Sequence, residues 1–117
     1  MKLGKLPTVQ VRGMQGSYFV ETDQFGRLPT AHKHLLKWPH YEHPGPRRYG
    51  RELSEQWLDQ CKAIMEGKLV VLTEDDTSEP TWKRRGYIGI FKVDDASVGD
   101  EGALRFRIID RIADCRP

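Results

Sequence analysis

Apolar positions along the chain fall into short alternating runs, broken by glycine, proline and acidic turns, with one helical stretch among them. Residues 8–12 alternate, with Val9 and Val11 on one side, and residues 17–22 are rich in aromatic and β-branched side chains. Each run predicts a strand. Gly13, Met14, Gln15 and Gly16 lie between them and read as a turn, so the two runs predict an antiparallel hairpin. Residues 1–7 read as a loose lead-in. Residues 23–26 mark a second turn, and residues 27–30 a brief pairing that Pro29 confines to an edge or a strand end.

The helical stretch is residues 52–66. Leu53, Trp57, Cys61 and Met65 recur every four positions, and Leu58 and Ile64 widen the stripe. Glu52, Glu55 and Asp59 favour its N-terminal half, where negative charge complements the helix dipole. Gly67 is the expected left-handed residue that ends it.

Three strands are predicted after the helix. Residues 69–73, LVVLT, form the continuous apolar run of a central strand. Residues 86–93, GYIGIFKV, form another, with Gly89 marking a bulge or a close backbone approach. A polar, turn-rich connection over 94–102 leads to residues 103–113. There Leu104, Phe106 and Ile108 alternate with Arg105 and Arg107, giving one core face and one basic face. The Ile108-Ile109 pair breaks that period and predicts a bulge.

The pattern predicts an α+β fold. It consists of a curved, mainly antiparallel sheet, small and barrel-like, with one amphipathic helix packed against it. A length of 117 residues fits a single domain spanning 1–117. No apolar run approaches the roughly 18 residues of a membrane span, and the N-terminus lacks the apolar segment of a secretory signal. A cytoplasmic protein without membrane contact is the expectation. The oligomeric state is left open.

Charge changes the picture at one place. Residues 30–51, TAHKHLLKWPHYEHPGPRRYGR, carry Lys33, Lys37, Arg47, Arg48 and Arg51 against Glu42 alone. They also hold all four histidines. Pro39, Pro44 and Pro46 limit helix to one turn over 32–37 and predict an ordered, irregular loop over 38–50. Basic residues interleave here with Trp38, Tyr41 and Tyr49, and again at Trp82, Lys83, Arg84, Arg85 and Tyr87. Cations suit phosphates, and aromatic rings stack on unpaired bases. Arg105 and Arg107 are expected to join that surface.

Other chemistries find less support. His32, His34, His40 and His43, with Glu42, have ligand-like spacings for zinc, but no H-E-x-x-H helix or cysteine pair accompanies them. Glu74, Asp75 and Asp76 at a strand end could hold Mg²⁺, and Glu66-x-Lys68 superficially matches part of a nuclease core, though at a helix terminus. Cys61 and Cys115 lie far apart and form no redox motif. No nucleophile elbow or glycine-rich phosphate loop is present.

RGYIGIFKV and the later IIDRIADCRP resemble the closing strands of PUA-like domains of the ASCH and EVE kind. The resemblance covers about thirty residues of this 117-residue chain. It implies a small barrel of a kind that often binds RNA or modified bases, and it carries over no site residue.

The leading expectation is a small, non-catalytic nucleic-acid-binding module without a cofactor. Lys37, Arg47, Arg48, Arg51, Lys83, Arg84 and Arg85 would contact phosphates, and Trp38, Tyr41 and Trp82 would stack on bases or line a pocket. The alternatives are a protein-interaction or inhibitor-type accessory protein, and a metal-dependent hydrolase using the histidines or the acids at 74–76.

Overall fold

The computed structural model describes residues 6–15, 18–75 and 85–116. Residues 1–5 of the lead-in over 1–7, Gly16, Ser17, the segment 76–84 and Pro117 lie outside the described residues, and Gly13, Met14 and Gln15, expected in a turn, lie in a strand. Eight strands and one helix are formed by the described residues: β1 (Thr8–Gln15), β2 (Phe19–Thr22), β3 (Gly26–His32), β4 (Leu36–Lys37), β5 (His40–His43), α1 (Glu55–Gly67), β6 (Leu69–Asp75), β7 (Arg85–Val98) and β8 (Leu104–Arg116).

These strands make one curved sheet in the order β1-β2-β3-β6-β7-β8-β5-β4, and a further β1–β8 pairing closes a ring of hydrogen bonds. The predicted α+β, barrel-like fold is therefore present. Six of the pairings are antiparallel, while β3–β6 and β1–β8 are parallel. A parallel pair needs a crossover connection. Between β3 and β6 that crossover contains α1, which packs against β3 and β7.

Two apolar clusters explain the strand sequences. Val9, Val11, Val20, Leu28, Val71, Ile90 and Ala113 form one. Trp57, Cys61 and Ile64 of α1 join Ala31, Tyr41, Val70, Leu72, Phe91, Val93, Leu104, Phe106 and Ile108 in the other. Alternate residues of a strand face opposite sides. Val71 therefore enters one cluster while Val70 and Leu72 enter the other, which is why β6 is apolar on both faces.

Bulges bend the long strands. Gly89 stands at a register shift between β6 and β7, where a Cβ would lie 2.8 Å from the Ala113 carbonyl oxygen. Ile109 is passed over between the Lys92–Asp110 and Val93–Ile108 pairs and is 45% exposed. β8 can then serve two neighbours, β5 near its start and β1 near its end.

Several expectations need correction. Residues 38–43, expected at the start of an irregular loop over 38–50, instead complete a hairpin: β4 and β5 pair antiparallel, with a cis Trp38–Pro39 peptide at the turn, and β5 extends the sheet beside β8. Pro39 contributes its carbonyl, which accepts from the Ile108 amide at 2.8 Å. Pro29 sits inside β3, where the strand passes from β2 to β6, so its missing amide donor falls at a change of partner. β7 continues to Val98, through what reads as turn sequence.

The helix begins later than its periodicity suggests, because the Ser54 side chain caps it by accepting from the Trp57 amide at 3.1 Å. Lys68, not Gly67, adopts the left-handed conformation, with its amide bonded to the Ile64 carbonyl. The buried stripe is Trp57, Gln60, Cys61 and Ile64, while Leu58 and Met65 are 45% and 38% exposed. A strict period of four drifts about 40° per step on a helix of 3.6 residues per turn. Two steps beyond Trp57 the drift has carried Met65 off the core face.

Candidate functional site

A recess opens where β3, β5 and the first turns of α1 meet. It has a volume of about 160 Å³ and is lined by Tyr18, Thr30, Ala31, His32, Tyr41, His43, Trp57 and Gln60. The period of two along β5 places Tyr41 and His43 on the inner face and His40 and Glu42 on the outer one. On α1, Trp57 and Gln60 are three residues apart and share the buried face. Tyr18 meets Trp57 edge-on, with ring centroids 6.4 Å apart, and His43 tilts against the same indole at 4.5 Å.

Hydrogen bonds hold these rings. The Trp57 indole N–H donates to the Gly102 carbonyl at 2.9 Å. His43 Nδ1 accepts from the Gly45 amide at 2.9 Å, so the neutral ring carries its proton on Nε2. Burial holds His43 below the ordinary imidazole value, and the charge of nearby His34 pushes the same way. Burial pushes the Tyr41 hydroxyl far up, against the opposing effect of the His32 backbone amide bonded to it. Both side chains are therefore neutral, polar and fixed at neutral pH.

Two wider clefts adjoin the recess. One, of about 530 Å³, shares Tyr18, His43 and Trp57 with it and adds Pro46, Arg51, Glu52 and Ser54. The other, of about 580 Å³, shares His32 and adds Lys33, His34, Leu36 and Glu74. The recess thus lies between a cleft carrying Arg51 and a cleft carrying Lys33. Lys33 pairs with Glu74 at 3.5 Å, both side chains being more than half exposed.

The sequence-predicted residues divide into groups. Arg51 reaches the site. Arg47 and Arg48 are exposed on the 3₁₀ turn Pro46–Tyr49 just before it. Lys37 and Trp38 stand at the far end of β5, which at ~3.3 Å per residue separates them from that turn by on the order of 13 Å. Trp38 is 66% exposed and meets Phe91 edge-on at a centroid distance of 6.4 Å. Tyr41 is only 4% exposed and stacks on Phe106, so it is a wall of the recess and not an open platform. Trp82, Lys83 and Arg84 lie outside the described residues, as does the Arg85 side chain, although its backbone opens β7.

Arg105 and Arg107 do not add free cations. Arg107 is held by Asp94 in a two-pronged pair at 3.0 and 2.8 Å, and Arg105 reaches Glu42 at 3.5 Å. The histidine spacing also loses its force on the folded chain. His40 and His43 point to opposite faces of β5, His32 and His34 pack edge-on at 5.1 Å, and His43 has committed Nδ1. Among the described residues no three His, Cys, Asp or Glu side chains converge to hold a metal ion. Of the acidic trio, Glu74 pairs with Lys33, the Asp75 side chain is outside the described set and Asp76 is outside it altogether.

Gln60 is the site residue that the apolar pattern hides. It is a polar residue in the helical stripe Trp57-x-x-Gln60-Cys61-x-x-Ile64 and is 5% exposed. A glutamine at a core position of an otherwise apolar stripe is the signal that could have found it.

No protein-family model, curated protein or solved structure matches this chain.

Proposed function

We propose that this protein is a small, non-catalytic nucleic-acid-binding module. One unpaired base enters the recess between β3, β5 and α1, and the flanking phosphates meet cations at its rim. The observation that carries this reading is the placement of the rings of Tyr18, His43 and Trp57 around a recess whose adjoining cleft holds Arg51. Aromatic faces bind bases with little regard to sequence, and cations track the backbone. A volume of about 160 Å³ suits a single planar ring system. Drug-sized ligands occupy about 300–1,000 Å³. Arg47 and Arg48 continue the cationic rim, and the exposed Trp38 offers a further stacking face beyond β5.

The test is binding of short single-stranded RNA and DNA over a salt series. Affinity should fall steeply with salt, and Arg47→Glu with Arg48→Glu should weaken it for every sequence tried. No measurable binding at low salt overturns the reading. Co-purification with a protein that survives nuclease treatment would favour an accessory protein instead.

A further inference from the structure

Gln60 contributes a chemical feature that the aromatic rings do not. Its Nε2 donates to the Thr30 carbonyl at 2.5 Å, and the Thr30 amide in turn donates to the Tyr18 carbonyl at 2.9 Å. This chain of bonds ties α1 to β3 and to the ring-bearing Tyr18. It also fixes the orientation of the amide, because the flipped form would set Oε1 against the Thr30 carbonyl oxygen. Oε1 is then buried, with no hydrogen-bond donor among the described residues, in a side chain that lines the recess. Buried amide oxygens are almost always paired, and an N–H on a ligand in the recess is one donor that would pair this one.

We infer that Gln60 Oε1 is the recognition acceptor of the recess, receiving an N–H from the edge of a single unpaired nucleobase. The base's faces lie against the surrounding rings, and neutral His43 offers its Nε2–H as a complementary donor. A base edge presents an N–H donor beside an acceptor, which is the pairing these two groups require. A hydrocarbon, or a ring methylated at every edge nitrogen, leaves Oε1 unmet and is rejected. This inference rests on the nucleic-acid reading for the source of the base. The adjoining cleft with Arg51 supplies a cation beside it.

The experiment is a titration of ¹⁵N-labelled full-length protein, following the Gln60 side-chain amide and the Trp57 indole signals. The probes are the four nucleoside monophosphates, each beside the derivative in which every base-edge N–H is replaced by N-methyl. At least one parent nucleotide should shift both signals, and blocking its N–H should weaken binding by about tenfold or more. Gln60→Leu should erase that discrimination. If Gln60→Leu does not fold, the parent-versus-methylated comparison on the unmodified protein decides alone.

The role of Gln60 is overturned if no parent nucleotide shifts the two signals at millimolar concentration, or if blocked and parent forms bind alike. The two proposals fail separately. Salt-dependent strand binding without discrimination sinks the role of Gln60 and leaves the module. Discriminating mononucleotide binding to which a longer strand adds nothing leaves the recess and sinks the module.

Discussion

The indole N–H of Trp57 donates to the carbonyl of Gly102, 2.9 Å away across 45 positions of sequence. Gly102 has φ +80°, and a Cβ there would run into Leu53 Cδ2 and approach Trp57 Nε1 to 3.0 Å. The β7–β8 turn therefore fixes the start of α1 and one wall of the recess together. Gly102→Ala should lower stability by about 2 kcal/mol or more, from left-handed backbone strain and the clash. Trp57→Phe keeps a ring but leaves the Gly102 carbonyl unpaired, at an expected cost of about 1–3 kcal/mol. Urea unfolding would show both as lower midpoints at unchanged slope. A wild-type midpoint for Gly102→Ala would refute this account of the turn.

Both cysteines are free, and burial pushes both thiols up to about 11. Cys61 is packed under the helix at 1% exposure, and Cys115 is half-buried beside Asp114, whose charge adds to its shift. At pH 8 roughly one thiol in a thousand would be the reactive thiolate. A thiol reagent should label neither cysteine in the native protein within minutes, and both after denaturation. Rapid native labelling of Cys61 would contradict its place in the core.

The fold was largely legible in the pattern of apolar positions, because the helix carries an apolar stripe, β6 a continuous apolar run and the start of β8 an alternating one. The β4–β5 hairpin was not. Its strands are two and four residues long, and the pairing of Tyr41 opposite Phe106 is a long-range contact that leaves no local period. The site was legible in part. Arg51 and Tyr41 come from the singled-out stretch, but Tyr41 is a wall, and the carboxylate of Asp94 that holds Arg107 arrives from a segment that reads as turn. Gln60 was invisible to a search for charged or metal-binding groups. Its interest follows from a buried Oε1 without a donor among the described residues, which only the packed structure reveals.

His43 makes stability depend on pH with a defined sign. Burial first, and His34 second, depress its pKa in the folded state, so the unfolded chain binds the proton more readily. The contribution is complete above the unfolded value of ~6.5 and is lost as pH falls toward the folded value. Protonation also converts Nδ1 from acceptor to donor opposite the Gly45 amide. The melting temperature should therefore drop more steeply from about pH 7.5 to about pH 5 in the wild type than in His43→Gln, whose side-chain oxygen remains an acceptor at both pH values. Parallel pH profiles for the two proteins would show that His43 is not the group responsible.

Arg51 and Arg107 are both exposed, yet they should behave differently toward nucleic acid. Arg107 is engaged by both carboxylate oxygens of Asp94, and that pair holds the Asp94 carboxyl below the usual carboxylate range. Arg51 lines the cleft next to the recess. A phosphate contact contributes about one unit to the slope of log affinity against log salt. Arg51→Gln should therefore reduce that slope by about one for any single-stranded sequence. Arg107→Gln should leave it unchanged, because its charge is already matched on the surface. Equal losses at the two positions would mean that net charge, not the cleft, governs binding, and the proposed path of the strand past the recess would have to be abandoned.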